Sequence, residues 1–374
     1  MADLWTLDDL GLGALNGKRV FVRVDFNVPL ADGKVLDGTR LEEALPTLRE
    51  LTAAGAVVIL ASHLGRPKGK PDPRYTLQPV AEALVPLLGQ AVRFAGDCVG
   101  PEVEALVRGM GPGEVVLLEN LRFHAEEEKN DPAFAERLAA LAEVYVDDAF
   151  GSAHRAHASV VGVPERLAHK AAGRLLAREV TALGRLLGEP ARPFAAILGG
   201  AKVEGKIDTL ENLLPRLDLL LLGGGMANTF LAAEGYELGS SLFEPDRLDV
   251  ARDILARAKA RGTEVLLPRD VVVTDDLGNP GRIETVAADR IPAGLKAVDV
   301  GPETRRAFAA AIARAGTLFW NGPLGVFEKP PFDAGTREVA QALAGCAGFS
   351  VIGGGETVAA VKQAGVAGRI GHVS

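Results

Sequence analysis

The sequence predicts an α/β protein of two doubly wound, parallel-sheet (Rossmann-like) domains joined by a helical hinge. Three observations lead there. Short β-rich runs recur along the whole chain, and most are continuously apolar rather than alternating, as strands covered on both faces are. Helix-length amphipathic stretches lie between them. The length, 374 residues, is too great for one ordinary domain at about 150 residues each.

In chain order the predicted strands are residues 19–24, 57–61, 115–118, 144–146, 194–198, 217–222, 271–274, 317–320 and 349–352. Helical patterning is clearest over 39–54, 132–141, 248–260 and 303–315. A longer helical pattern, GRLLAREVTALGRLLG (173–188), ends in Gly-Glu-Pro with Arg192-Pro193 following. It marks the junction, which gives an N-terminal domain over 1–172, a hinge helix over 173–188 and a C-terminal domain over 189–374.

Composition narrows the class. With 48% hydrophobic and 24% charged residues the chain fits neither a disordered tail nor a fibrous repeat. Its net charge of 41 − 49 = −8 repels nucleic acid and anionic membranes, so an anionic ligand requires a local basic pocket. Two cysteines, Cys98 and Cys346, build no disulfide framework, and neither has a sequence neighbour at metal-ligand spacing, which suits a reducing compartment. The acidic N-terminus lacks a basic n-region, and no apolar run approaches the roughly 18 residues of a membrane span. A cytoplasmic protein with no nucleic-acid or membrane partner is expected, and a monomer.

Three glycine-rich loops follow strands in the C-terminal half: LGGAK (198–202), LGGGM (222–226) and IGGGE (352–356). Glycine lets backbone approach a ligand, and a helix N-terminus after it offers free N–H groups to phosphate. Ordinary strand-to-helix turns account for one such loop, whereas three at the C-terminal ends of strands point to an anion site. None completes G-x-G-x-x-G, which requires Gly at Asn228 or Val358, so a dinucleotide dehydrogenase is disfavoured. GAKVEGK (200–206) matches G-x-x-x-x-G-K, but Ile207 stands where a P-loop needs a hydroxyl, so the match is a decoy. Lys202 and Lys206, four apart on a helix starting near Ala201, are expected to share one face toward the ligand.

The N-terminal half places cationic residues after strands instead: RVDFNVP (23–29), SHLGRPKGK (62–70), ENLRFH (119–124) and AHRAH (153–157). Asp25 and Asn27, two apart in an extended segment, suit the hydroxyls of a small acid. His63, Arg66, Arg122 and Arg155, with Arg40 at a helix start, suit a phosphate or carboxylate. A metallohydrolase built on His154, His157, Asp147 and Asp148 is the weaker alternative, since such His pairs are common by chance. WNGPLGVFE (320–328) suits a flat, partly apolar ligand with Glu328 on a hydroxyl.

Taken together and in this order, RVDFNVP, SHLGRP, LENLRFH, DAFGSAHRAH, LGGAKV, GGGM and WNGPLGVFE resemble the phosphoglycerate kinase family from about Lys18 to the last residue. The resemblance implies ATP-dependent, Mg²⁺-assisted phosphoryl transfer to 3-phosphoglycerate. It also implies that Asp25, Phe26, Asn27, Arg40, His63, Leu64, Gly65, Arg66, Arg122 and Arg155 bind the triose. Gly200, Lys202, Lys206, Gly224, Gly225, Ala297, Asn321, Glu328 and the run Gly354, Gly355, Glu356 and Thr357 fall to the nucleotide. Arg40, Lys202, Lys206, Gly354 and Gly355 are the expected catalytic set. Domain closure about the 173–188 helix, excluding water, is expected with it.

The sequence departs from the family at three places. Glu356 replaces the usual magnesium-ligating Asp, Ala297 replaces a glycine, and Ser374 precedes the Thr-Gly-Gly-Gly-Ala with which the family continues. The last residues are expected to return toward the N-terminal domain. Two competitors remain: a different small-acid kinase, and a non-catalytic nucleotide-binding protein, against which the full arginine set and Lys206 argue.

Overall fold

Apolar runs with no polar interruption need cover on both faces, and the computed structural model, which describes residues 4–374, provides it with two six-stranded parallel sheets. The first comprises β1 (Arg19–Val24), β2 (Val57–Ala61), β3 (Val92–Phe94), β4 (Val115–Leu117), β5 (Val144–Asp148) and β6 (His169–Ala172), in the order β3-β4-β2-β1-β5-β6. Successive residues of β1 and β2 enter opposite cores. Val20, Val22, Val58 and Leu60 pack on one side; Phe21, Ile59 and Ala61 pack on the other. Helices α1 (Thr39–Ala53), α2 (Gln78–Leu88), α3 (Pro101–Arg108) and α4 (Pro132–Ala139) supply the covering layers.

Helix α5 (Arg174–Leu187) contains the boundary between two compact units, which divide the chain between Thr181 and Ala182. Its start is tied to the first unit. Asp148 Oδ1, at the end of β5, accepts from the N–H groups of Leu175 and Leu176 at 2.9 and 3.2 Å. Arg174 reaches Asp8 and Glu50 at 2.7 Å each. Gly173 leaves room for this cap, because a Cβ there would lie 2.7 Å from Asp148 Cβ.

The second unit holds β7 (Phe194–Leu198), β8 (Leu219–Leu222), β9 (Glu264–Leu266), β10 (Asp270–Thr274), β11 (Ile283–Ala287), β12 (Lys296–Val300), β13 (Thr317–Asn321), β14 (Phe349–Gly353) and β15 (His372–Val373). Its parallel sheet runs β9-β8-β7-β13-β14-β15. Helices α6 (Ile207–Leu213), α7 (Gly224–Ala233), α8 (Leu248–Arg261), α9 (Pro302–Ala313), α10 (Ala334–Ala344) and α11 (Gly355–Gln363) flank it. Ala196 and Leu198 of β7 face one core, and Ala195 and Ile197 the other.

Two expectations change here. The 271–274 run is not a strand of the parallel sheet: β10 pairs antiparallel with β11 and β12 in a separate three-stranded sheet. Only residues 267–269 separate it from β9, whereas a parallel crossover needs about a dozen or more. The last residues do not leave the second unit; His372 and Val373 pair with Val351 and Ile352 at the sheet edge. Strands β3, β6 and β9 went unpredicted because they are three or four residues long and carry polar residues at a sheet edge.

Two buried carboxyls sit at structural joints. Burial pushes Asp148 up to about 6 and Asp299 up to about 7, against the ordinary aspartate value. Asp299 Oδ2 accepts from Gly335 N–H at 2.8 Å, holding the start of α10. A carboxyl with a raised folded pKa keeps its proton in the native chain over the range where the unfolded chain has lost it. Its stabilising contribution is therefore complete below about pH 4 and is lost as pH rises through about 6 for Asp148 and about 7 for Asp299. Thermal denaturation followed from pH 4 to 8 should show Asp299→Asn with a flatter dependence than the parent; parallel curves would exclude this titration. By the same assay Gly173→Ala should cost about 1–3 kcal/mol, since backbone or Asp148 must shift.

Candidate functional site

In an open parallel sheet the crevice lies beyond the carboxyl ends of the strands where the chain reverses its direction of travel across the sheet. In the first unit that reversal separates β1 from β5, and the loops after β1, β2, β4 and β5 carry the cationic motifs. Polar side chains splice these loops together. Asn27 Oδ1 accepts from Gly65 N–H at 2.9 Å, joining the loop after β1 to that after β2. Arg122 Nη1 donates to the Gly65 carbonyl at 2.9 Å, joining the turn after β4. Asn120 carries three such links, including Leu64 carbonyl at 2.8 Å.

The guanidinium groups converge on His63. This imidazole is buried, and Arg23, Arg122, Arg155 and Arg40 all act on it electrostatically. Burial first, then these cations, push its pKa down to about 2, so the ring is neutral. Arg40, in the first turn of α1, pairs with Asp25 at 2.8 Å. Arg122 is buried, which lowers its pKa, and its Nε has no hydrogen-bond partner; Glu128 Oε1 lies 3.3 Å away. Arg66 is exposed on the loop after β2. The Phe26 and Leu64 side chains are buried in the core, while the Phe26 N–H donates to Ser62 Oγ and the Leu64 carbonyl accepts from Asn120.

Arg23, Ser159 and Glu127 were missed by sequence reasoning. Arg23 entered only as the first residue of the RVDFNVP motif and Glu127 was not singled out, yet both are fully buried. The His154–His157 pair divides, with His154 exposed and His157 buried beside Glu127 at 3.9 Å. Cys98 does gain metal-ligand neighbours in space: its sulfur and donor atoms of Asp97 and His124 lie within 4.8 Å of one another. Strands β3 and β4 are adjacent and bring these loops together. The three residues are hydrogen-bonded among themselves, His124 Nε2 lying 2.7 Å from Asp97 Oδ1, and burial raises the Cys98 thiol, keeping it protonated.

In the second unit the reversal lies between β7 and β13, so LGGAK and WNGPLG emerge side by side. Gly200 N–H donates to Pro323 carbonyl at 2.8 Å. Lys206 Nζ donates to Asn321 Oδ1. Burial lowers the Lys206 pKa, while the Glu356 carboxylate acts in the opposite sense. Lys202 and Lys206 do not share a helix face as expected. Residues Glu204–Lys206 form a 3₁₀ turn, α6 begins at Ile207, and Lys202 is exposed in the preceding loop. Glu244 accepts from the Val203 and Glu204 N–H groups, tying this loop down ahead of α6.

The three glycine loops also differ from one another. At the start of α7, Gly224 and Met226 N–H groups already donate to Leu324 and Gly200 carbonyls at 3.0 and 2.9 Å. Gly224, at φ +65°, would place a Cβ 2.8 Å from the Gly200 carbonyl oxygen, so glycine there serves loop packing. At α11, Gly354, Gly355 and Glu356 are exposed, and among the described residues the N–H groups of Gly355 and Glu356 have no acceptor. Thr357 is turned inward, its hydroxyl accepting from Gly322 N–H at 2.6 Å.

Between these loops lies a cavity of about 270 Å³, lined by Gly200, Gly224, Gly225, Ala297, Glu328 and Glu356 among others. Leu242, Pro268, Val271 and Leu277 add apolar walls that no local motif announces; Val271 and Leu277 come from the three-stranded sheet and its first turn, Leu242 and Pro268 from neighbouring segments. Glu328 and Glu356 are exposed at this cavity. The carboxylate of Glu356 is a hard oxygen donor beside open N–H groups, a donor set that fits Mg²⁺ carried with a polyphosphate.

Comparison with known proteins gives the family. The family model described as "Phosphoglycerate kinase" matches residues 7–374. The chain is 55% identical over 369 residues to phosphoglycerate kinase of Moorella thermoacetica, covering 99% of this chain and 93% of that one. It is 56% identical over 360 residues to that of Thermus thermophilus, covering 96% and 92%. The solved structure of phosphoglycerate kinase from Coxiella burnetii superposes with a TM-score of 0.91 at 39% identity, over 100% of this chain and 93% of that one. That from Pyrococcus horikoshii gives 0.84 at 32% identity, over 99% and 93%. The chain belongs to the phosphoglycerate kinase family, the transferases that move a phosphoryl group between ATP and 3-phosphoglycerate in glycolysis and gluconeogenesis.

Proposed function

We propose that the first unit holds 3-phosphoglycerate and the second holds Mg-ATP or Mg-ADP, with α5 as the hinge element of a cytoplasmic monomer. The observation that carries this division is the convergence of Arg40, Arg122 and Arg155 on a neutral, buried His63. Guanidinium groups gathered at one place attract an anion: Arg40 and Arg122 each face one carboxylate, Asp25 and Glu128, and Arg122 Nε makes no hydrogen bond. Asp25 and Asn27 sit beside this cradle and suit the hydroxyl of the acid. Gly65 and Arg66 line the same loop.

The chemistry asks little of the protein in covalent terms. The attacking carboxylate is ionised at neutral pH, with a reference pKa of about 3.5, so no general base is required. Catalysis consists of placing that carboxylate in line with the γ-phosphorus and matching the charge on the transferring group. Arg40 and Lys206 supply cations to the transferring phosphoryl. Lys202 serves the nucleotide phosphates, and the free N–H groups after Gly354 and Gly355 serve the same charge. Glu356 would hold the Mg²⁺, which when bound offsets part of the nucleotide's negative charge. The apolar cavity beside Ala297 takes the flat base and Glu328 a ribose hydroxyl. Among the described residues no helix is long and apolar enough to cross a membrane.

Reduction of the acyl phosphate product by glyceraldehyde-3-phosphate dehydrogenase, followed as NADH oxidation, tests the reading. Signal is expected with 3-phosphoglycerate and Mg-ATP and not with acetate or aspartate; equal rates with those acids would establish a generic acid kinase instead. Lys206→Ala should lower kcat by about 10²–10³-fold with the fold intact, the usual effect of deleting one charge-stabilising donor. Glu356→Ala should raise the Mg²⁺ concentration giving half-maximal rate about tenfold while Glu356→Asp restores it. An unchanged Mg²⁺ requirement would remove Glu356 from the metal site.

A further inference from the structure

Arg23 is a buried cation with an unusual set of partners. It is fully buried at the end of β1, and among the described residues it forms no ion pair. Its Nε donates to Ser159 Oγ at 2.8 Å, Nη1 donates to the Val24 carbonyl, and Nη2 lies 3.2 Å from Nδ1 of His63. The Ser159 hydroxyl donates to Glu127 Oε1 at 2.6 Å and its N–H to Oε2 at 3.0 Å. Glu127 is also fully buried. The chain from Glu127 through Ser159 and Arg23 to His63 thus balances a buried anion against a buried cation through one hydroxyl.

The direction of every link follows from the groups themselves. A carboxylate only accepts and a guanidinium only donates, so the Ser159 proton points to Glu127 and its lone pair to Arg23. At the other end the guanidinium has no lone pair to offer. His63 Nδ1 must therefore be the acceptor, and the ring proton resides on Nε2.

We propose that Arg23 is a positioning residue for phosphoryl transfer, fixing His63 as the neutral Nε2–H tautomer so that it offers the anionic acid a hydrogen-bond donor rather than a base or a cation. The proposal rests on His63 belonging to the triose cradle. The low pKa of His63 agrees with it. The charged groups facing the ring are Arg23 from β1, Arg40 from α1, Arg122 from the turn after β4 and Arg155 from the loop after β5. All four are guanidinium groups, which do not titrate near neutrality, so the donor persists across the working range.

Nitrogen NMR on the full chain labelled at histidine reads the tautomer directly. His63 should show an unprotonated Nδ1 and a protonated Nε2, unchanged from pH 5 to 8. A protonated Nδ1, or a titration midpoint within that range, would overturn the proposal whether or not any variant folds. Arg23→Met should raise KM for 3-phosphoglycerate about tenfold, the value of one lost charge-assisted donor, with kcat changed less than about threefold and the His63 midpoint moved upward. Arg23→Lys should recover part of both. Loss of kcat with an unaltered KM and an unaltered His63 spectrum would show Arg23 to be structural only. His63→Gln separates the two levels: an unchanged KM would remove His63 from the cradle, whereas an impaired KM with the wrong tautomer would reject Arg23 alone.

Discussion

Parallel strands buried on both faces leave a protein one place to put chemistry. The apolar side chains along β1, β2, β7 and β13 are committed to cores on both faces, so groups that meet solvent or ligand come from the strand ends and the loops beyond them. The order of strands then decides which loops are neighbours. In each sheet the chain moves outward from a central strand and later returns to that strand's other side, and the loops flanking the return meet. The close approach of Gly151 to Asp25 in one unit, and the Gly200–Pro323 hydrogen bond in the other, are the resulting contacts.

The two units use this geometry in opposite electrostatic styles. The first concentrates fixed cations around a ring that cannot share their charge, because four arginines and burial hold His63 neutral. Placing Arg23 wholly inside costs desolvation that a lone surface-type arginine could not recover. Ser159 and Glu127 offset that cost by giving the guanidinium hydrogen bonds and a compensating anion at one remove. The second unit relies more on backbone, with the exposed start of α11 and a cavity lined largely by glycine and apolar residues, Glu328 and Glu356 among its polar ones. Its half-buried cation, Lys206, is anchored on Asn321 at the end of β13.

Glycine serves both styles for different reasons. Gly224 is needed because α7 begins in close contact with another loop, and its neighbours' N–H groups are spent on that contact. Gly355 has open space around it and leaves its N–H free. Similar sequences, LGGGM and IGGGE, therefore do different work, one closing a loop junction and the other leaving an anion site.

Much of this was legible from local pattern. Continuous apolar runs locate nine strands, motif order points to the family, and Arg40, His63, Arg122, Arg155 and Lys206 were named from motif composition and spacing, while Leu64, Gly65 and Asn321 came from the family resemblance. Periodicity carries that information because it records how many faces an element buries. It does not record which element comes to lie beside which. The antiparallel placement of β10, the separation of Lys202 from Lys206, the inward turn of Thr357 and the burial of Arg23 all depend on partners contributed from elsewhere in the chain. The sequence by itself determined the α/β class and the chemical character of each loop. Tertiary structure alone decided which loops meet and which of their polar groups are consumed in holding one another, because hydrogen bonds and burial depend on distances that spacing along the chain does not specify.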